Sequence, residues 1–256
     1  MLNLEDIKKN YPYPAGFDRS ALREYFQYKI LDILFKNGLS EKISFLGGTA
    51  IKMCYGSRRY SEDLDFDNFG LAEEDFVGMS ETIKKELVLE GYEVEIKNIF
   101  KSAFRCYIKI PRVLFENKIS PLENEKITIQ VDTMPHKFHF IPDVFVLQKY
   151  DIFRNIKITP KDIILSEKVA AVLGRKRAKG RDFYDIVYLM GITGFNYEYL
   201  KEKLNIKNTA ELKDKLLAVS SELDFNTLAT DVSPFLINQD EKSYVLNFRQ
   251  YIEQKL

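Results

Sequence analysis

Residues 45–67, FLGGTAIKMCYGSRRYSEDLDFD, hold the groups best suited to chemistry. Asp63, Asp65 and Asp67 stand at alternate positions around Leu64 and Phe66. Alternate residues of a β-strand point to one face, so this spacing predicts a strand with its acids on one side and its apolar residues in the core. Carboxylates crowded on one face repel each other and favour a counter-ion. An all-oxygen pair such as Asp63 and Asp65 suits Mg²⁺, which takes one or two carboxylates plus substrate phosphates. The run KITIQVD ends in Asp132, which would join the pair if its strand lies beside theirs. Metal held this way lowers the pKa of a hydroxyl and neutralises a triphosphate. Just upstream, Gly47 and Gly48 permit a tight turn and a close approach of backbone to a ligand. Thr49 would then open a helix whose free N–H groups face phosphate oxygens, its hydroxyl adding a further hydrogen bond. Arg58 and Arg59 bring positive charge to the same stretch.

A second constellation lies in residues 166–189, SEKVAAVLGRKRAKGRDFYDIVYL. Lys168 and Arg175 are two helical turns apart, opposite Val169, Val172 and Leu173. Arg175, Lys176, Arg177, Lys179 and Arg181 then crowd together, the strongest positive cluster in the chain. Lys168 can reach a triphosphate as a mobile point charge. Arg177, Lys179 and Arg181 can grip phosphates of nucleotide or RNA. Asp182 and Asp185, three apart on one helix face, would orient those cations or bond a base or ribose.

These groups need elements to position them. Residues 1–16 read as an extended arm. Asp18 reads as the N-cap of a helix running to about Asn37, with Leu22, Phe26, Ile30, Ile33 and Leu34 as its apolar face and Gly38 as its stop. KISFLGG is a buried strand entering the glycine turn, TAIKMCY a short helix, and SEDLDFD the acid-bearing strand. Residues 73–90 read as a helix, and YEVEIKNIF, AFRCYIKIP and KITIQVDTM as strands. Farther on, Thr159 as N-cap, Pro160 at the first helical position and Asp162 as the partner in a capping box open a helix. RDFYDIVYLM follows with Phe183, Ile186, Val187 and Met190 on one face. Helices are also predicted at 197–204, 209–221 and 240–255. The expectation is therefore an α+β chain: a mixed-sheet lobe over residues 1–150 and a helical lobe over 151–256, the boundary falling near 145–160.

Composition narrows the classes. With 38 basic and 38 acidic residues among 256, net charge predicts no bulk attraction to nucleic acid or membrane, so such partners must be read from local clusters. Two cysteines make no disulfide framework and fit a reduced, cytoplasmic setting. The start, MLNLEDIKKNYPYP, carries acid and lysine where a secretory leader needs an apolar run. No segment approaches the roughly 20 apolar residues of a membrane span. His136 and His139 would face opposite sides of a strand and share no metal, and only two histidines exist to serve a hydrolytic triad. Cys54 reads as a core residue.

Gly-Gly-Thr alone is an ordinary turn, and Asp-x-Asp alone an ordinary solvated strand face. In this order, and followed by a strand-borne aspartate, they become specific. GGTA followed by R-x-S-x-DLDF (Gly47, Gly48, Thr49, Ala50, then Arg59, Ser61, Asp63, Leu64, Asp65, Phe66) resembles the first motif of the AbiEii/AbiGii toxin family, nucleotidyltransferase-fold proteins related in their core to DNA polymerase β. The family pattern R-x-K-x-RD-xx-DL resembles Arg177, Lys179, Arg181, Asp182 and Asp185, with Ile186 replacing the leucine. The resemblance spans residues 18–190.

It implies a nucleotidyltransferase fold with Asp63 and Asp65 as metal ligands and Asp132 as the third acid. It implies that Gly47, Gly48, Thr49, Arg59 and Ser61 bind nucleotide, and that Lys168 is the lysine preceding the second motif. Mg²⁺, or Mn²⁺, is the implied cofactor and an NTP the substrate. The implied protein is the toxin of a bacterial toxin–antitoxin or phage-abortive system with a cognate antitoxin. Some relatives add nucleotides to the 3′ end of tRNA, making tRNA the first acceptor expected. Rival expectations are transfer to a small molecule or protein hydroxyl, and a non-catalytic nucleotide-binding module. Asp67 has no place in the pattern and reads as a solvated neighbour.

Overall fold

The period-two stretches on both sides of the glycine turn pair into one sheet. The computed structural model describes residues 3–36 and 38–256. The chain divides into two compact units: residues up to Cys54 with Ser61–Ile158, and Tyr55–Tyr60 with Thr159–Leu256.

The first unit runs α1 (Leu4–Asn10), α2 (Asp18–Lys36), β1 (Ile43–Leu46), α3 (Gly47–Tyr55), β2 (Leu64–Asn68), α4 (Glu73–Leu89), β3 (Glu95–Phe100), β4 (Phe104–Pro111), α5 (Val113–Glu116), β5 (Lys126–Pro135), β6 (Asp143–Lys149) and β7 (Ile152–Ile158). Its sheet has the order β3-β4-β5-β2-β1-β7-β6. The pairs β2–β5 and β1–β7 are parallel, and the other neighbours are antiparallel. Leu64 and Phe66 of β2 and Ile127, Ile129 and Val131 of β5 are all at most 1% exposed, each contributing roughly 1.5–3 kcal/mol by burial. Helix α2 packs on β5 and β7, and α4 on β3 and β4. The five apolar residues predicted for the α2 face are all buried.

Several expectations for this unit are corrected. The arm contains α1, because Asn3 caps it: the Asn3 side chain accepts from Asp6 N at 2.9 Å and the Asp6 carboxylate accepts from Asn3 N at 3.1 Å. Leu4 and Ile7 are buried beneath it, while Met1 and Leu2 lie outside the described residues. Asp18 is the first helical residue of α2 rather than its cap, since the Phe17 carbonyl accepts the Ala21 N–H at 2.8 Å. The predicted helix end, Asn37, lies outside the described residues, and Gly38 opens a short 3₁₀ turn, Gly38–Lys42. Asp63 precedes β2 instead of lying within it.

The second unit contains α6 (Lys161–Gly174), α7 (Gly180–Met190), α8 (Tyr197–Leu204), α9 (Thr209–Ser221), α10 (Phe225–Val232), α11 (Ser243–Leu246) and α12 (Phe248–Lys255). Phe183, Phe225 and Phe248 meet edge-on and stacked at its centre, with ring centroids 4.9–5.9 Å apart. Pro160, not Thr159, is the N-cap of α6. The Asp162 carboxylate accepts from Asn196 Nδ2 at 2.9 Å instead of closing a capping box. Helix α10 was not expected. The helix expected at 240–255 is broken into a 3₁₀ turn, α11 and α12, with the last break at Asn247.

The segment Tyr55–Tyr60 belongs to this helical unit. Tyr60 N donates to the Phe235 carbonyl at 2.8 Å and Ile237 N to the Arg58 carbonyl at 3.2 Å. Tyr188 Oη donates to the Tyr55 carbonyl at 2.6 Å. Arg59 is thereby delivered to the second unit.

Candidate active site

In the first unit the carboxylates are placed by strand register. Asp65 of β2 pairs with Asp132 of β5 in parallel, and Asp132 pairs with Arg105 of β4. Directly registered residues share a sheet face, so Asp65, Asp132 and Arg105 form one row across three adjacent strands. On the opposite face Leu64 pairs with Val131 and Phe66 with Thr133, all buried. Arg105 forks onto Asp132: Nε to Oδ1 at 2.8 Å and Nη2 to Oδ2 at 3.0 Å. Gln130 Nε2 donates to Asp132 Oδ2 at 2.8 Å.

The glycine turn is fitted to this row. Gly47 has φ +81°, and a Cβ there would stand 2.3 Å from Asp65 Oδ2. Any side chain would meet both backbone strain and the carboxylate. Thr49 is fully buried, and its hydroxyl donates to the Asp63 carbonyl. That corrects the expectation that this hydroxyl reaches phosphate: it ties α3 to the approach of Asp63. The Ser61 carbonyl accepts from Gln27 Nε2 at 3.0 Å, fixing the same approach. Asp63 and Asp65 are half-buried, an all-oxygen pair whose chemistry fits Mg²⁺. Asp132 would have to share its oxygens between a metal and Arg105.

Asp67 is not a solvated neighbour. It is 4% exposed, and its Oδ1 lies 2.6 Å from His136 Nδ1. The imidazole meets Phe69 and Phe140 at 5.8 and 4.9 Å, whereas His139 is exposed. Burial pushes the Cys54 thiol well above its ordinary range and that of Cys106 up to about 12, which leaves neither a nucleophile.

The second unit holds a different cluster. Arg59, 1% exposed, forks onto Asp185 with Nε–Oδ1 2.7 Å and Nη2–Oδ2 2.6 Å. Lys168 Nζ lies 3.0 Å from Asp182 Oδ1 and 2.9 Å from Asp185 Oδ2. Arg175 Nη1 lies 2.7 Å from Asp182 Oδ2. Arg59, expected at a nucleotide, is therefore turned onto Asp185, and Lys168, expected as a mobile charge, lies between two carboxylates with its side chain 15% exposed. Burial opposes ionisation of Asp185, but Arg59 and Lys168 more than offset it and hold its carboxyl below the ordinary range. Burial likewise disfavours the Lys168 ammonium, yet Asp185 and Asp182 raise it above the ordinary range.

The rest of the basic run separates from this network. Arg177 and Lys179 are exposed in the α6–α7 loop, beyond Arg175, the C-cap of α6 that pairs with Asp182. The Arg181 guanidinium lies 4.8 Å from the Phe235 ring centroid. Gly180 is required where α7 starts, because a Cβ would lie 1.9 Å from the Leu228 carbonyl oxygen. Its N–H donates to Asp231 at 2.9 Å. Sequence reasoning missed Arg105 and Gln130. Both alternate correctly with buried neighbours on their strands, but only the register shows that they meet Asp132.

A glycine-turned helix thus leads to Asp63 and the strand-borne Asp65, with Asp132 in register on the next parallel strand. The model of the nucleotidyltransferase AbiEii toxin family, of type IV toxin–antitoxin systems, matches residues 29–248, and the chain belongs to that family. It is accordingly a nucleotidyltransferase toxin whose family implies an NTP substrate and an antitoxin counterpart. The fold is similar to that of MenT4, a nucleotidyltransferase toxin from Mycobacterium tuberculosis H37Rv, with TM-score 0.63 and 14% identity over 99% of this chain and 90% of that one. It is also similar to JHP933 from Helicobacter pylori, with TM-score 0.58 and 18% identity over 93% of this chain and 91% of that one. Comparison with curated proteins finds no match. Among the described residues, no helix is long and apolar enough to cross a membrane.

Proposed function

We propose that the protein transfers a nucleotidyl group from an NTP to the 3′-terminal hydroxyl of tRNA in the bacterial cytoplasm, arresting growth during phage infection. The observation that supports the transfer chemistry is the register of Asp65 beside Asp132, with Gly47 shaped to clear the Asp65 carboxylate. Asp63 and Asp65 would hold Mg²⁺ or Mn²⁺, with Asp132 as the third acid. Bound there, the metal would neutralise triphosphate charge and lower the pKa of the attacking hydroxyl.

The chain's own residues do the rest. Gly47 keeps the backbone clear of Asp65, Thr49 fixes the carbonyl of Asp63, and Gly48 at the start of α3 offers backbone N–H groups to phosphate. The acceptor oxygen bonds to the α-phosphorus, the bond to the β-bridging oxygen breaks, and pyrophosphate leaves with that electron pair. The hydroxyl proton passes to a carboxylate of the row or to water. Arg177, Lys179 and Arg181 serve phosphates of the RNA. Lys168, Asp182 and Asp185 are positioning residues.

Sequencing RNA 3′ ends after brief expression in a bacterial host tests the acceptor. Added nucleotides on tRNA 3′ ends are expected. Unaltered RNA ends, with the nucleotide found on protein or small molecules, would overturn tRNA as acceptor and leave the transfer chemistry standing.

A further inference from the structure

Arg105 has no part in the family motifs, yet it forks onto a carboxylate of the row. Both oxygens of Asp132 are taken, at 2.8 and 3.0 Å. The order across the sheet is Arg105, Asp132, Asp65, which sets Arg105 two strand spacings, about 10 Å, from Asp65. An arginine side chain spans most of that distance. The pair is not sealed: the Arg105 side chain is 41% exposed and that of Asp132 20%. Such a solvent-accessible ion pair can exchange its partner, unlike the buried fork of Arg59 on Asp185.

We propose that Arg105 is a resident counter-ion of Asp132, which gives up the carboxylate when a divalent cation arrives and then binds the phosphates of the incoming nucleotide. This rests on Asp132 being the third acid of the metal site. Without metal, three carboxylates on neighbouring positions would repel one another, and Arg105 offsets that. A divalent cation competes for the same oxygens. The nucleotide's triphosphate supplies new acceptors of matching geometry for the freed guanidinium, whose planar fork suits phosphate as well as carboxylate. No covalent bond changes in this exchange. It makes metal and nucleotide binding mutually supportive: metal alone must displace Arg105, whereas metal with nucleotide gives Arg105 a new partner.

The test uses the full chain and Arg105→Gln, with Mn²⁺ binding followed by electron paramagnetic resonance. A non-hydrolysable NTP analogue is followed by equilibrium dialysis, and both proteins are checked by thermal melting. Arg105→Gln should bind Mn²⁺ alone about fivefold more tightly, the most an exchangeable surface pair is worth. It should bind the Mn²⁺-loaded analogue at least about tenfold more weakly. If Arg105 merely staples β4 to β5, the variant will melt lower with both affinities unchanged, and the inference fails. If neither protein binds Mn²⁺, the metal site itself is wrong.

Discussion

The carboxylate row of the sheet and the charge cluster of the helical unit are made of the same residue types and behave in opposite ways. In the row, acids are half-buried on a sheet face, and Asp132 is held by a partly exposed arginine. In the cluster, Asp182 and Asp185 are at most 3% exposed and enclosed by Arg59, Lys168 and Arg175. Accessible charge can exchange partners with a ligand. Enclosed, mutually satisfied charge cannot do so without a large loss of stability. We therefore propose the row as the place for chemistry and the cluster as a scaffold, although the motif residues in both look alike in sequence.

The largest expected effect breaks the scaffold. Asp185→Ala strands Arg59 and Lys168 without their shared counter-ion and should destabilise the protein by about 3–5 kcal/mol. Denaturant melts measure this, and a loss under about 1 kcal/mol would mean that the cluster is not structural. Its mirror image is Asp65→Asn, which should abolish nucleotidyl transfer while moving the unfolding midpoint little.

Gly47→Ala comes next. The left-handed backbone costs roughly 1–2 kcal/mol, and the added Cβ displaces the Asp65 carboxylate. Transfer activity should fall by about a hundredfold, the scale of a misplacement near 1 Å, with a smaller loss in melts. Retention of full activity would show that Asp65 is not held where it must act.

The pH response separates the regions as well. The folded pKa of Asp185 lies below its ordinary 3.8, so its contribution is complete above about pH 4 and is lost as the pH falls through the folded value. Lys168 lies above its ordinary 10.5, so its contribution is complete below about pH 10 and is lost as the pH rises beyond the folded value. The stability difference between the parent and Asp185→Ala should stay level between these limits, and a change in that difference centred near neutrality would contradict the assignment. The smallest effect is expected from Arg177→Ala and Lys179→Ala. Stability should stay within about 0.5 kcal/mol of the parent, while the salt dependence of RNA binding drops by roughly one unit of slope per removed phosphate contact.

Much of the fold was legible because period and punctuation agree locally. SEDLDFD alternates, GG marks the turn, and α2 carries one apolar face. The hairpin β6–β7 was missed because its turn carries no glycine or asparagine: Tyr150 itself takes the left-handed conformation, φ +59°. The fates of Arg58 and Arg59 were also illegible. They are adjacent in sequence, yet one is exposed and the other fully buried, because the partner that decides it, Asp185, lies 126 residues away. Arg105 and Asp132 pose the same problem over 27 residues. Local pattern names the residues able to do chemistry, and long-range register decides which of them are free to do it.

The central claim, that the row acts and the cluster holds, is tested most directly by incubating NTPs labelled at the α-phosphate with total RNA and either wild type or Asp65→Asn, at matched melting temperature. The account predicts label in RNA from wild type and none from the variant. Equal labelling by both would contradict it.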